Sequence, residues 1–474
     1  MLFNSIDFII FYVVVTTLFF SAPHKIRWAI LLAASCYFYM AFVPVYILIL
    51  GFTIIIDYFS GIYIEKEHSA RRRKMLLMAS LTANIGILVV FKYFNFLNLN
   101  LDVFLHKFNY HNPIPYLRIL LPIGLSFHTF QAMSYTIEVY RGNQKAERHF
   151  GIYSLYVMFY PQLVAGPIER PQNILHQFHE KHNFNFNLMQ SGLKLMLWGF
   201  FKKLVIADRL SIFVSSVFGN PDIHNGTTIV IASFFFAIQI YCDFSGYTDI
   251  AIGAARTMGF DLMTNFKRPY FATNIQDFWR RWHISLSTWF RDYVYLPLGG
   301  SKVGNARRYL NLFIVFLVSG IWHGANYTYV IWGALHGLYC VGYVVLKPYL
   351  PSPQNKFAAR LVRISGTALT IGLVTFAWIF FRAASVHDAF TLVRNLRSFG
   401  EVPFIGDGLN NFAQCILAIL LLFLLEYKIE YYPDKFNFFS SRNIVVRWGS
   451  LAFTILWIVV FGVFNGGQFI YFQF

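Results

Sequence analysis

A chain of 474 residues that is 57% hydrophobic and only 13% charged, with a mean hydropathy of +0.51, is not composed like a water-soluble globule, in which about a quarter of residues are charged. The length would allow roughly three soluble domains of about 150 residues, but no polar linker separates them, so one all-α, membrane-embedded domain over residues 1–474 is expected. The net charge of +17 lies in short loops between apolar runs, the bias of cytoplasmic loops, and this argues against a nucleic-acid partner.

The first apolar run, residues 6–22, has no basic residue before it and no small-residue cleavage site behind it, so a retained span is expected rather than a cleaved signal peptide. Lys25 and Arg27 follow, then runs at 28–42 and 44–63, then the basic cluster Arg71, Arg72, Arg73 and Lys74. Two spans return the chain to the same side, which makes both clusters cytoplasmic and the N-terminus extracytoplasmic. Residues 75–96 then run outward, 97–118 form an external loop, and 119–140 return to Arg141, Lys145 and Arg148.

Beyond Gly151 the apolar stretches are interrupted by Pro161, Gly166, Pro167 and the pair Lys202–Lys203. Short segments that enter the membrane without crossing it fit this pattern, because irregular backbone at that depth must be buried in protein or line a wet cavity. Further runs lie at 188–207, 228–241, 310–346, 367–381, 411–425 and 448–464. At about twenty residues per crossing the total is roughly ten to twelve membrane segments. The chain divides into N-terminal spans at 1–148, a core rich in polar motifs at 149–346, and C-terminal spans at 347–474 that carry no readable motif. The absence of internal repeats weakens a transporter reading, and Cys36, Cys242, Cys340 and Cys415 form neither a disulfide nor a metal pattern.

Polar groups at membrane depth are costly and tend to be functional, and three places qualify. Residues 310–346 hold no Asp, Glu, Lys or Arg but include His323 and His336. The stretch is too long for one crossing, and Gly320 and Gly324 would bend it around Trp322 and His323. A neutral imidazole suits general-base work near neutral pH; a histidine that merely bonds a neighbouring helix is the alternative.

Residues 277–293 pack three Trp, three Arg, two Asp and a His into seventeen positions. On one continuous helix Trp279, Trp282 and His283 would share a face, and an interfacial amphipathic helix with snorkelling arginines is the alternative. Residues 241–249 place Asp243, Tyr247 and Asp249 among apolar neighbours; Asp243 and Tyr247 could pair on a helix, most simply as part of a structural network.

The run FWRRWHISLSTWFRDYVYLPLGG at 278–300 closely resembles the signature of bacterial membrane-bound O-acyltransferases. LPIGLSF (121–127), LVAGPI (163–168), GFFKK (199–203), DFSGYTD (243–249) and GIWHGAN (320–326) are similar to segments of that family's alginate O-acetyltransferase branch. The resemblance implies a ring of tilted helices around a central tunnel in which a cytosolic acyl donor meets an acceptor from outside. The family's two characteristic histidines match His323, as the catalytic base, and His283. Trp279, Trp282, Ser285, Trp322, Asn326, Asp243 and Tyr247 are then expected to contact substrate, with no metal site and no bound cofactor.

The branch implies acetyl-CoA as donor, a polysaccharide such as alginate, cellulose or peptidoglycan as acceptor, and a separate extracytoplasmic O-acetyltransferase as partner, in a bacterial inner membrane whose lipid surrounds the spans. D-alanyl transfer to teichoic acid from a carrier protein is the alternative chemistry. A non-enzymatic transporter or an inactive assembly platform are the alternative classes. The basic residues Arg71–Lys74 could receive a donor's phosphates, although the charge bias of cytoplasmic loops already accounts for them.

Overall fold

The computed structural model describes all residues except 119–121, 165, 351–354, 401, 407, 433–438, 465–468 and 471–474. Among the described residues every regular element is helical. Seven helices among these residues are long and apolar enough to cross a membrane: Pro44–Lys66, Ala70–His106, Gly226–Thr257, Tyr327–Tyr349, Lys356–Arg382, Leu409–Tyr431 and Ile444–Phe461. The wider expectation of ten to twelve counted apolar runs whose helices are too short or too polar for that class. Ile6–Ser21 has 16 residues, His24–Met40 and Leu125–Arg141 have 17 each, and Asn305–His323 begins with Arg307 and Arg308.

The chain forms two compact units, one of residues 1–196 and 248–263, the other of 197–247 and 264–474. In the first unit the expected outer loop at 97–118 is helical as far as His106. A single turn of π-helix, Val89–Tyr93, links Ala70–Leu88 to Phe94–His106. Asparagines in this stretch bind the returning chain. Asn95 and Leu117 exchange two hydrogen bonds, of 2.8 and 2.9 Å, and Asn98 donates to the Ile114 carbonyl at 3.0 Å. Residues 119–121, the first part of the next expected span, lie outside the described residues, and its helix is seen as Leu125–Arg141.

Three helices of this unit are joined by a buried polar knot. The Ser80 hydroxyl donates to Asp57 at 2.5 Å and lies 3.0 Å from that of Thr136, while the Asn84 amide reaches both Asp57 oxygens at 2.9 and 3.0 Å. Burying a carboxylate in an apolar bundle is tolerable only when its oxygens are so satisfied. From Phe150 the chain forms the short helices Phe150–Met158, Tyr160–Leu163 and Pro171–Ile174, as the interrupting prolines require.

In the second unit the 310–346 run is two helices, Asn305–His323 and Tyr327–Leu346, broken at Gly324. They cross closely because glycines meet there. A Cβ on Gly333 would lie 2.5 Å from the Phe316 carbonyl, and one on Gly320 would lie 2.3 Å from the Tyr329 carbonyl. Small residues of this kind let membrane helices approach backbone to backbone. His323 is thereby fixed as the last residue of its helix, at the turn of a tight hairpin.

Candidate active site

The continuous helix expected over 277–293 does not form. Ile275–Arg281 ends with Trp282 in extended backbone, His283 adopts the left-handed conformation at φ 42° and ψ 57°, and Ile284–Phe290 begins again. A non-glycine residue held there stores strain of about 1–3 kcal/mol that the surroundings must offset. Asn265 supplies the restraint, because its carbonyl accepts the Ile284 N–H at 2.9 Å and its side-chain oxygen accepts both the N–H and the hydroxyl of Ser285 at 3.1 and 3.0 Å.

The break separates the three side chains that one helix would have aligned. Trp279 packs on His336, Trp332 and Phe316 at ring distances of 4.9, 5.9 and 5.2 Å. Trp282 lies on Phe278 and Trp378 at 5.5 and 5.2 Å. His283 turns to Phe244, at 4.6 Å, and Phe266, at 6.4 Å.

His323 is 4% exposed and walled by aromatic rings: Trp322 and Trp332 each at 4.9 Å and Phe381 at 5.2 Å. Trp322 also stands 6.5 Å from His283, so one indole borders both histidines. Trp332 plays the same part on the other side, 4.8 Å from the fully buried His336. The result is a row of three imidazoles interleaved with two indoles. The walls of this row are aromatic rings.

The polar motifs converge on a different cluster. A Cβ on Gly246 would sit 2.8 Å from the Gly199 carbonyl, so DFSGYTD packs directly on GFFKK. That contact places the buried Lys203 ammonium 2.7 Å from Asp208 and 2.6 Å from Asp243, and 5.5 Å from the centre of the Tyr247 ring. Asp243 and Tyr247, four apart on one helix, thus both border the lysine. The C-terminal segment closes the cluster: Ile470 donates its N–H to Asp243 at 2.7 Å, and Phe469 packs on Tyr247 and Phe244 at 4.6 and 5.4 Å.

Of the expected substrate contacts, Ser285 is held by Asn265 as described. Asn326 caps the following helix by accepting the Thr328 N–H at 3.1 Å and donates to the Ala384 carbonyl at 2.9 Å. Among the described residues no group of three His, Cys, Asp or Glu side chains is placed to hold a metal ion. Trp332, Phe381, Phe244, Lys203 and Asn265 were not singled out as site residues in the sequence. Only the lysine, an ion inside an apolar run, carried a signal.

Comparison with known proteins now bears on this geometry. The pattern of the membrane-bound O-acyltransferase family matches residues 148–386. The chain is 35% identical to the "Probable alginate O-acetylase AlgI" of Pseudomonas putida over 405 residues, covering 85% of this chain and 81% of that protein. The chain belongs to the membrane-bound O-acyltransferase family. This O-acyltransferase is also 34% identical to the "Peptidoglycan O-acetyltransferase" of Helicobacter pylori over 416 residues, covering 82% of this chain and 75% of that one. Its likeness to the "Teichoic acid D-alanyltransferase" of Bacillus subtilis is weaker, 27% over 58% of this chain and 71% of that protein. The matched region contains both His283 and His323.

Proposed function

We propose that this O-acyltransferase takes acetyl groups from a cytosolic thioester, acetyl-CoA, and passes them towards hydroxyls of an extracytoplasmic polysaccharide, with His323 as general base. The observation that carries the reading is the position of His323: a buried imidazole at the turn of a glycine-built hairpin, inside an aromatic box bordered by His283 through Trp322. In the step itself the acceptor oxygen bonds to the thioester carbonyl carbon, its proton passes to His323, and the thiolate leaves and recovers that proton. General-base assistance of this kind is worth about two to four orders of magnitude in rate.

Trp332 offers an indole N–H with no hydrogen-bond partner among the described residues, 4.9 Å ring to ring from His323. Such a donor could steady the developing oxyanion, and His283 would orient the acceptor. The relatives named for acetyl transfer match more of this chain, at higher identity, than the D-alanyltransferase does, which favours acetyl over D-alanyl as the group moved. Those names also favour an envelope polymer such as alginate or peptidoglycan as acceptor. In this proposal the acetyl group is handed on by a separate extracytoplasmic transferase, and the enzyme sits in a bacterial inner membrane.

The test is transfer from radiolabelled acetyl-CoA in membranes containing the chain together with its genomic neighbours. Label in an envelope polymer supports the reading and identifies the acceptor. Label that appears only with a D-alanyl carrier protein as donor overturns it.

A further inference from the structure

The turn joining Ile47–Lys66 to Ala70–Leu88 carries a cavity that the acyl-transfer chemistry does not use. It measures about 530 Å³ and is lined by Tyr63, Lys66, Glu67, Arg72, Met75 and Leu76, a size typical of sites for small ligands or headgroups. Its lining combines two cations and one acid, Lys66, Arg72 and Glu67, with the apolar wall of Tyr63, Met75 and Leu76. Both flanking helices are candidate membrane spans whose most apolar windows are only 39% and 17% buried, so their outer faces are open to lipid.

The charges around the cavity are unequal in their engagements. Five cations, Lys66, Arg71, Arg72, Arg73 and Lys74, fall within nine residues. Arg73 is used by the fold, donating to the Tyr140 carbonyl at 2.7 Å with its guanidinium 5.3 Å from the Tyr140 ring. Arg72 reaches Glu67 only at 3.7 Å and its side chain is 75% exposed. Among the described residues no acid pairs with Lys66, Arg71 or Lys74. The two acids nearby are already occupied: Glu65 accepts from Arg148 and from the Ala146 N–H, and Glu67 accepts the Ser69 N–H at 2.9 Å.

We propose that this cavity binds the phosphate headgroup of an anionic glycerophospholipid between Lys66 and Arg72. The acyl chains would then lie along the exposed apolar side chains Phe59, Tyr63, Met75 and Met78. Basic side chains at the end of a membrane helix attract anionic headgroups. A soluble phosphate would use the cations but gain nothing from the apolar wall, which runs on into the lipid-facing helices.

Native mass spectrometry of the full-length protein in an equal mixture of phosphatidylglycerol and phosphatidylcholine tests this. The wild type should retain phosphatidylglycerol preferentially, and Lys66→Gln with Arg72→Gln should reduce that preference on the order of tenfold or more. Lys302→Gln with Arg307→Gln, which removes two exposed cations elsewhere, should leave it unchanged. Glu67→Gln, which releases Arg72 from its acid, should increase it. Unchanged elution and thermal midpoint of the Lys66/Arg72 variant would show that the loss is not misfolding. Equal retention by that variant, or equal loss in the Lys302/Arg307 control, overturns the site. Displacement of the lipid from wild type by inorganic phosphate or acetyl-CoA assigns the cavity to a soluble phosphate instead, and the lipid proposal falls.

Discussion

Two buried assemblies in the second unit are built on opposite principles. Around His323 and His283 the walls are aromatic rings, and the imidazoles meet indoles and phenyls. Around Lys203 the cation is gripped by two carboxylates within 2.7 Å and closed over by the backbone of Ile470. The first surrounds its imidazoles with rings and places no charged side chain among the contacts named above. The second pairs its buried cation directly with two buried carboxylates. A group meant to react must remain available, whereas a group meant to hold helices together is better spent.

The contrast breaks if activity and stability fail together. His323→Ala should lower acetyl transfer at least a hundredfold while membrane level and thermal midpoint stay near wild type, measured by label transfer and by unfolding in detergent. Activity within tenfold of wild type would remove His323 from the base role. Lys203→Met should do the reverse in order of cause. It leaves Asp208 and Asp243 facing each other without a counter-ion, at a cost of about 3–5 kcal/mol, so folded protein is lost before catalysis can be assayed. Adding Asp208→Asn and Asp243→Asn should recover most of it, since replacing a whole buried ion set is often near neutral. A single Lys203→Met that stays fully folded would mean the charges are not structural.

The first assembly was more legible in the sequence than the second. The thirty-seven residues of 310–346 without a charge exceed one crossing, so the hairpin followed from length and glycine alone. The three-residue and four-residue spacing of Trp279, Trp282 and His283 pointed to one face of a helix, and this reading failed for a local reason. Spacing arguments assume unbroken α backbone, and the restraint that breaks it comes from Asn265, outside the motif. The pairing of Lys203 with Asp243 spans forty positions of sequence and depends on how Gly246 meets Gly199; no local pattern announces it. Phe381 and Phe469 lie in C-terminal segments without a motif, and they acquire meaning only as ring contacts of His323 and Phe244.

The hairpin offers a smaller and sharper test. Gly333→Val places a branched side chain where a single Cβ already meets the Phe316 carbonyl at 2.5 Å, so the two helices must part and the box around His323 must loosen. The expected cost is about 1–3 kcal/mol, with a fall in turnover larger than the fall in thermal midpoint would suggest. Gly342→Val, on the same helix with nothing within 4 Å of its Cβ position, should be close to silent in both measurements.

The smallest expected effect concerns the ions beside the aromatic motif. Arg281 binds Asp277 at 3.0 Å and Glu430 at 2.7 Å, and Arg268 binds Glu430 at 2.6 Å, but these groups are partly exposed. Solvent and salt screen such pairs, so Arg281→Ala should cost at most about 1 kcal/mol after screening, and less at high salt. Turnover should stay within a fewfold of wild type, because the His283 turn is pinned by Asn265 rather than by the arginine. If instead Arg281→Ala cuts turnover more than tenfold while Asn265→Ala does not, the ion pairs on Glu430 hold the turn. The division between a neutral reacting assembly and a charged structural one would then have to be redrawn through the motif itself.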